Sequence, residues 1–102
     1  MTHNIDENGN PAGGTSEGVG YHIEWQNGPL VDAVTGERKA KNGAFVEDLV
    51  EAVLDRMQFY QSTKFSCREN ALVITKLEEA LHWMNHRTAK RIERGVEGTH
   101  TA

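Results

Sequence analysis

Four basic side chains near the end of the chain have the spacing of a single helix face. They stand at positions i, i+3, i+4 and i+7, namely Arg87, Lys90, Arg91 and Arg94. Such a face suits phosphate groups, because guanidinium groups form charge-assisted and often bidentate hydrogen bonds with phosphate oxygens. The alternative is a solvated helix end, where positive charge complements the helix dipole and pairs with acidic side chains of a neighbouring helix. The spacing alone leaves both interpretations open.

A group of aromatic residues, Phe59, Tyr60 and Phe65, lies where two predicted helices meet. Arg68 and Asn70 follow at the start of the second helix. Aromatic faces beside the free N–H groups of a helix start suit a nucleotide base. The alternative is that the rings close the end of a two-helix core. That alternative accounts for Phe65 and Phe59 but does not require Asn70, since asparagine is disfavoured in helix interiors.

A third pattern, formed by Glu78, His82 and His86, has the i, i+4, i+8 spacing at which two imidazoles and a carboxylate can ligate zinc. The H-E-x-x-H motif is absent, and Cys67 is the only cysteine, so no Cys-rich zinc module is possible. A small metal-dependent hydrolase is therefore the hypothesis that the sequence supports least. We expect no catalytic residue, no metal and no cofactor.

Two helices must position these groups. Ser66 and Glu69 have the S-x-x-E spacing of a capping box, and Gly95 is a natural helix stop, so the second helix is predicted over residues 67–94, roughly 40 Å. The first helix is predicted over residues 45–62 from its apolar spacing of 4, 3, 4 and 3. Because the link between them is short, we expect an antiparallel αα-hairpin. The first helix covers roughly 27 Å, so part of the second is left to contact the β part or another subunit.

The N-terminal third predicts a β part. Residues 1–18 are rich in Gly, Asn and acidic residues and poor in apolar ones, so a disordered tail is expected there. Residues 19–26 alternate apolar and polar side chains and lead into Asn27-Gly28, a strong hairpin signal. We predict a return strand over residues 29–34. The fold class is therefore α+β, with a small antiparallel hairpin or sheet followed by the two helices.

Length and composition limit the possibilities further. With 102 residues and a net charge of −4, the chain has room for one small domain, predicted as a ligand-binding domain over residues 19–102. Within it we assign residues 19–44 to the β part, 45–95 to the helical hairpin and 96–102 to a C-terminal tail. The acidic balance argues against polymeric nucleic acid as a partner, and no apolar run has the length of a membrane span or signal peptide. A small core makes oligomerisation a plausible further source of buried apolar surface.

One long motif resembles a known family. The pattern F-x-C-R-E-N-A-L-x-x-T-K-L-E-E-A-L-x-W-x-x-x-R-T-x-x-R-x-x-R-G-V-E-G-T, preceded by Q-N-G-P, resembles the phage Thoeris anti-defence sponge family over residues 21–100. The resemblance implies a viral protein in the cytoplasm of the infected bacterium that forms a homo-oligomer, typically a hexamer. It implies sequestration of glycocyclic ADP-ribose, an NAD-derived cyclic nucleotide signal, without cleavage. Some members also hold cyclic oligonucleotides at separate sites.

The same resemblance transfers roles to individual residues. The stacking aromatic falls on Tyr60 or its neighbour Phe59, the polar amide on Asn70, and the anion-binding guanidinium on Arg87. Arg68 and Arg91 complete the predicted ligand-binding set.

Spacing along the second helix adds one constraint. Asn70 and Arg87 are 17 positions apart, which is about 25 Å on a helix and too far to grip one small nucleotide together. We therefore expect pockets shared between protomers. The competing hypothesis is an oligomeric protein-interaction module that binds no small molecule.

Overall fold

The protein consists of a three-stranded sheet followed by two helices. The computed structural model describes all 102 residues. Its elements are β1 (Thr2–Ile5), β2 (Pro11–Gly18), β3 (Tyr21–Asn27), α1 (Val46–Gln61) and α2 (Arg68–Glu93). The strands form one antiparallel sheet in the order β1-β2-β3. The predicted α+β class is therefore confirmed.

The expected disordered tail over residues 1–18 is wrong, because β1 and β2 lie there. Thr2 is paired with Thr15 across the two strands, and the Thr2 hydroxyl both accepts from the Thr15 N–H at 2.9 Å and contacts the Thr15 hydroxyl at 3.1 Å. Hydrogen bonds of backbone and hydroxyl groups hold this pair of strands, whereas β1 itself is fully exposed. Disorder was predicted from the low apolar content of residues 1–18. Apolar content does not indicate whether backbone and hydroxyl groups form hydrogen bonds between strands.

The turn between β1 and β2 is organised by one carboxylate. Asp6 Oδ1 accepts hydrogen bonds from the N–H groups of Asn8 and Asn10 at 2.8 and 3.0 Å, which is the geometry of an Asx turn. These backbone N–H groups, that of Asn10 first, hold the pKa of the Asp6 carboxyl below its ordinary value. Gly9, at φ +79°, supplies the left-handed backbone that the turn requires.

The position of the second hairpin was also predicted incorrectly. β3 pairs with the preceding β2, from Gly18 opposite Tyr21 onward, and the tight turn lies at Val19-Gly20. Residues 29–34 form no return strand; Gly28 bends the chain at φ +86° and Pro29 has no N–H to donate to a ladder. An Asn-Gly pair predicts a turn, but it does not predict whether the strand before the turn pairs with the segment after it.

The last residues of the chain belong with the β part. The chain divides into one unit of residues 1–45 with 92–102 and a second unit of residues 46–91. Within the first unit, the Gly98 carbonyl accepts from the N–H groups of Leu30 and Val31 at 2.7 and 2.9 Å. Arg38 forms an ion pair with Glu97 at 2.7 Å. The segment assigned to a C-terminal tail is thus hydrogen-bonded into the first unit.

Both helices lie within a residue of their predicted limits. Gly95 follows α2 at φ +73° and donates its N–H to the Ile92 carbonyl at 3.0 Å, as expected of a helix stop. Neither helix is long and apolar enough to cross a membrane.

No apolar side chain of the chain is buried. The only two buried residues are Ser16, which accepts a hydrogen bond from Trp25 Nε1 at 2.8 Å, and Arg91. Half-buried apolar residues lie on both helices, with Leu54 and Met57 on α1 and Leu77 and Leu81 on α2. The predicted spacing of α1 is only partly confirmed, because Val46, Val53 and Tyr60 are exposed. Burial of apolar surface is the main favourable contribution to folding. A single copy of this chain therefore gains little free energy from that source.

A glycine substitution tests whether β1 depends on close backbone approach. Gly14 has φ +134°, and an added Cβ would overlap the Thr2 carbonyl oxygen, so we expect Gly14→Ala to separate β1 from β2. Amide hydrogen exchange at Thr15, which donates to Thr2, should then lose its protection. Gly9→Ala is the matched control, because Gly9 also has a positive φ but open space around it; we expect it to cost only about 1 kcal/mol. Equal protection of Thr15 in both variants would contradict this account.

A pH dependence follows from the His22 side chain. Its Nδ1 lies 3.0 Å from Glu17 and its Nε2 3.5 Å from Glu24, and these hydrogen bonds, Glu17 first, raise the pKa of His22. Folding therefore favours the protonated ring. Its stabilising contribution should be complete below the usual value of about 6.5 and should disappear as the pH rises through the raised pKa. NMR titration should show Glu17→Gln lowering the His22 pKa; an unchanged midpoint would refute the pairing.

Candidate ligand-binding site

Two adjacent aromatic rings project from the last turns of α1. Phe59 is 50% exposed and Tyr60 39% exposed, and their ring centroids lie 5.8 Å apart at an interplanar angle of 55°. Arg56 precedes them by three and four positions, so it shares their side of the helix. Its guanidinium carbon lies 4.8 Å from the Phe59 centroid and 5.0 Å from the Tyr60 centroid. We call these three residues the aromatic platform.

Two hydroxyl groups bond the backbone at the C-terminus of α1. The Ser62 hydroxyl donates to the Phe59 carbonyl and the Thr63 hydroxyl donates to the Tyr60 carbonyl, both at 2.6 Å. Each carbonyl also accepts the backbone N–H of the same residue, Ser62 or Thr63, at 3.0 Å, so the hydroxyl adds a second donor to a carbonyl at the helix end. The backbone under both rings is thereby fixed.

One glutamine joins the two helices. Gln61 Oε1 accepts from the Cys67 N–H at 3.1 Å, and Gln61 Nε2 donates to the Cys67 carbonyl at 3.0 Å. We call this pair of bonds the Gln61 bridge. The predicted capping box of Ser66 and Glu69 is not formed; the Ser66 N–H, which the Glu69 side chain would accept from, donates instead to the Thr63 carbonyl at 3.1 Å.

Asn70 is the predicted site residue that lies nearest the Gln61 bridge along α2. It is half-buried, and its Nδ2 donates to the Phe65 carbonyl at 3.2 Å, which leaves its Oδ1 without a donor in the chain. Phe65 is exposed and carries the Lys64 ammonium 5.4 Å from its centroid. Arg68 is exposed at the first position of α2. The turn thus gathers aromatic surface, cations and one free amide oxygen.

The basic residues at the other end of α2 are separate from this turn. Arg87 is exposed, whereas Arg91 is only 9% exposed and has an interaction partner, so it is not one of a row of solvated cations. Since α2 is continuous from Arg68 to Glu93, Arg87 stands about 25 Å along the helix from Asn70. One chain therefore does not bring its own Asn70 and Arg87 together.

The histidines of α2 form an aromatic cluster. The rings of His82 and His86 stack with centroids 6.4 Å apart, and Trp83 contacts both edge-on at 5.4 and 5.8 Å. Glu78 does not complete a set: no three His, Cys, Asp or Glu side chains are grouped where they could hold a metal ion. The cluster is an exposed aromatic surface.

A polar cavity of about 320 Å³ lies on the sheet. Its lining includes Thr2, Asn4, Glu24, Asn27 and Asn42, and no basic side chain. The Asn42 side-chain amide is hydrogen-bonded to the Asn27 backbone: it accepts from the Asn27 N–H at 2.9 Å and donates to the Asn27 carbonyl at 2.8 Å. None of the predicted ligand-binding residues lines it, so this cavity and the predicted site are different places.

Arg56 was not predicted as a site residue. In the sequence it follows Asp55 and reads as one of the charged residues of α1, although its i+3 and i+4 positions are the two aromatic residues. That spacing is the signal that would have identified it.

The fold and this arrangement define a class of protein: a small α+β domain whose two helices carry an aromatic platform and a basic end. The sequence model of the Acb2/Tad1 hairpin domain matches residues 20–89, and the chain belongs to that family. The resemblance drawn from the sequence motif is thereby confirmed. Thoeris anti-defense 1 of Bacillus phage SBSphiJ7 is 50% identical over 78 residues, which are 76% of this chain and 51% of that relative. The chain thus spans about half the length of the curated relative it matches.

The Gln61 bridge predicts a specific stability effect. Gln61→Met keeps the length of the side chain but removes both hydrogen bonds, so we expect the free energy of unfolding to fall by about 1 to 2 kcal/mol. Amide exchange at Cys67 should accelerate. Gln58→Met is the matched control, since Gln58 is exposed on the same helix and its side chain has no hydrogen bond in the chain. Equal effects of the two substitutions would mean that the bridge does not stabilise the helix junction.

Proposed function

We propose that this chain is a phage anti-defence protein that binds and sequesters a cyclic nucleotide immune signal, glycocyclic ADP-ribose, without cleaving it. The observation that carries the proposal is family membership over residues 20–89, a range that includes the aromatic platform, Asn70 and Arg87. A relative with 50% identity bears the name Thoeris anti-defense 1. Sequestration needs no turnover, only an affinity high enough to lower the free concentration of the signal.

The chemistry of the proposed site matches such a nucleotide. A base stacks on the exposed surface of Tyr60, with Phe59 beside it, because aromatic faces offer large contact area at low conformational cost. The free Oδ1 of Asn70 accepts from a base amino group or a ribose hydroxyl. Arg87 forms charge-assisted hydrogen bonds with the pyrophosphate, and Arg68 adds positive charge at the start of α2.

We further propose that each site combines two protomers. Asn70 and Arg87 are about 25 Å apart on one unbroken helix, so the basic end of one protomer must meet the aromatic platform of another. The lack of any buried apolar side chain supports association, because exposed apolar surface is stabilised by contact with a second copy. A hexamer is the assembly expected from the family resemblance.

A second candidate function, a protein-interaction module, rests on the same exposed apolar surface. Trp83 is 61% exposed on α2 beside two histidine rings, and exposed Trp is typical of interface hot spots. In that case a protein of the host or phage covers the helices and no nucleotide is held.

A retention experiment distinguishes the candidates. The purified protein is incubated with glycocyclic ADP-ribose, free ligand is removed, the protein is denatured, and the released molecule is identified by mass. Intact nucleotide supports the sponge, a cleaved product supports an enzyme, and no retained nucleotide favours the interaction module. The molar mass in solution is measured alongside, and a stable monomer would contradict the shared pocket.

Charge reversal at Arg87 tests the role of the basic end. We expect Arg87→Glu to weaken binding of glycocyclic ADP-ribose at least about tenfold, because a charge-assisted hydrogen bond is replaced by repulsion of the pyrophosphate. Calorimetric titration gives the dissociation constant. Lys76→Glu is the control, since Lys76 is an exposed cation of α2 that faces Glu79 at 3.6 Å and lies outside the proposed site. Undiminished affinity in Arg87→Glu would refute this part of the proposal.

A further inference from the structure

The Arg56 guanidinium is held in place without any acceptor. It lies within 5.0 Å of two aromatic centroids, yet the chain provides it with neither a carboxylate partner nor a hydrogen bond. The neighbours at i±3 and i±4 on α1 are Ala52, Val53, Phe59 and Tyr60, none of which is acidic. Its only intramolecular partners are therefore the two rings of the aromatic platform.

A cation–π contact positions a guanidinium but leaves its N–H groups without hydrogen-bond acceptors. The attraction comes from the negative face of the ring, and the five N–H donors in the guanidinium plane stay free for other groups. Planar, bidentate donation to phosphate or carboxylate oxygens is the use to which arginine is best suited. An exposed arginine in this state presents a fixed positive charge beside a stacking surface.

We infer that Arg56 is a ligand-contacting residue that binds a phosphate oxygen of the nucleotide stacked on the aromatic platform of the same chain. This inference rests on the proposed function and deepens it. The base covers ring surface that Arg56 leaves exposed, while the guanidinium neutralises charge on the pyrophosphate. Each pocket then has Arg56 and Arg68 supplied with the rings, and Arg87 supplied by the neighbouring protomer.

The Arg56 contact should affect which ligands the site prefers. A neutral nucleoside can stack on Phe59 and Tyr60 but gains nothing from Arg56, whereas an anionic nucleotide gains both contacts. Arg56 therefore favours phosphate-bearing ligands over nucleosides with the same base. Because the contact is electrostatic and partly exposed, its contribution falls as the ionic strength rises.

Two substitutions at Arg56 separate charge from geometry. Arg56→Met retains much of the side-chain length but removes the charge and the donors, and Arg56→Lys retains a cation over the rings but loses the planar fork. With glycocyclic ADP-ribose as the probe, we expect Arg56→Met to bind about tenfold more weakly at low salt, with the difference shrinking at high salt. Arg56→Lys should lie between Arg56→Met and the unchanged protein. Lys76→Met, a cation removed elsewhere on the helices, should leave the affinity unchanged.

The outcomes also separate this inference from the function on which it rests. If the unchanged protein binds the probe and Arg56→Met binds it equally well, the Arg56 contact is overturned and the sponge stands. If the unchanged protein does not bind the probe, both fail. Circular dichroism and solution mass check that Arg56→Met keeps its helices and assembly. If Arg56→Met loses its helices or its assembly, the affinity of Arg56→Lys is the test. An affinity equal to that of the unchanged protein would then overturn the bidentate contact.

Discussion

The absence of buried apolar side chains is the constraint on which the rest of the structure depends. A sheet that cannot rely on apolar burial is held by its backbone ladder, by the Asp6 turn and by side-chain bonds such as Trp25 to Ser16. The helices are marginal as isolated elements, since most helical stability in proteins comes from packing of an amphipathic face. Under the proposed function, a second copy of the chain covers part of this exposed surface and completes the binding site.

Hydrogen bonds of polar side chains also hold the junction between α1 and α2. The side chains of Gln61, Ser62 and Thr63 form hydrogen bonds with backbone groups at the end of α1 and the start of α2. These bonds also hold the backbone of Phe59 and Tyr60. Polar groups at the end of α1 thus bond the backbone of both ring-bearing residues, while the rings themselves remain exposed.

The helices and β3 were predictable from the sequence, whereas β1, β2 and the pairing of the sheet were not. Period-3.6 apolar spacing and the Gly95 stop determine α1 and α2, because both signals are local. The strands of residues 1–18 depend on pairing between segments that are separated in sequence, and their glycine-rich composition hides that pairing. Val19-Gly20 was overlooked as a turn because the Asn27-Gly28 signal is stronger locally. Arg56 was missed because charge alone assigned it to solvent, and its aromatic partners become evident only when the helix face is considered.

The unbroken course of α2 has a consequence for stoichiometry. If each helix carries half of one site near Asn70 and half of another near Arg87, a closed assembly has as many complete sites as chains and holds one nucleotide per chain. A ligand that bridges two chains also strengthens their association, and by linkage the association strengthens ligand binding. Capture of the signal would then sharpen above a threshold concentration of the protein, and the amount produced early in infection would decide whether the signal is depleted.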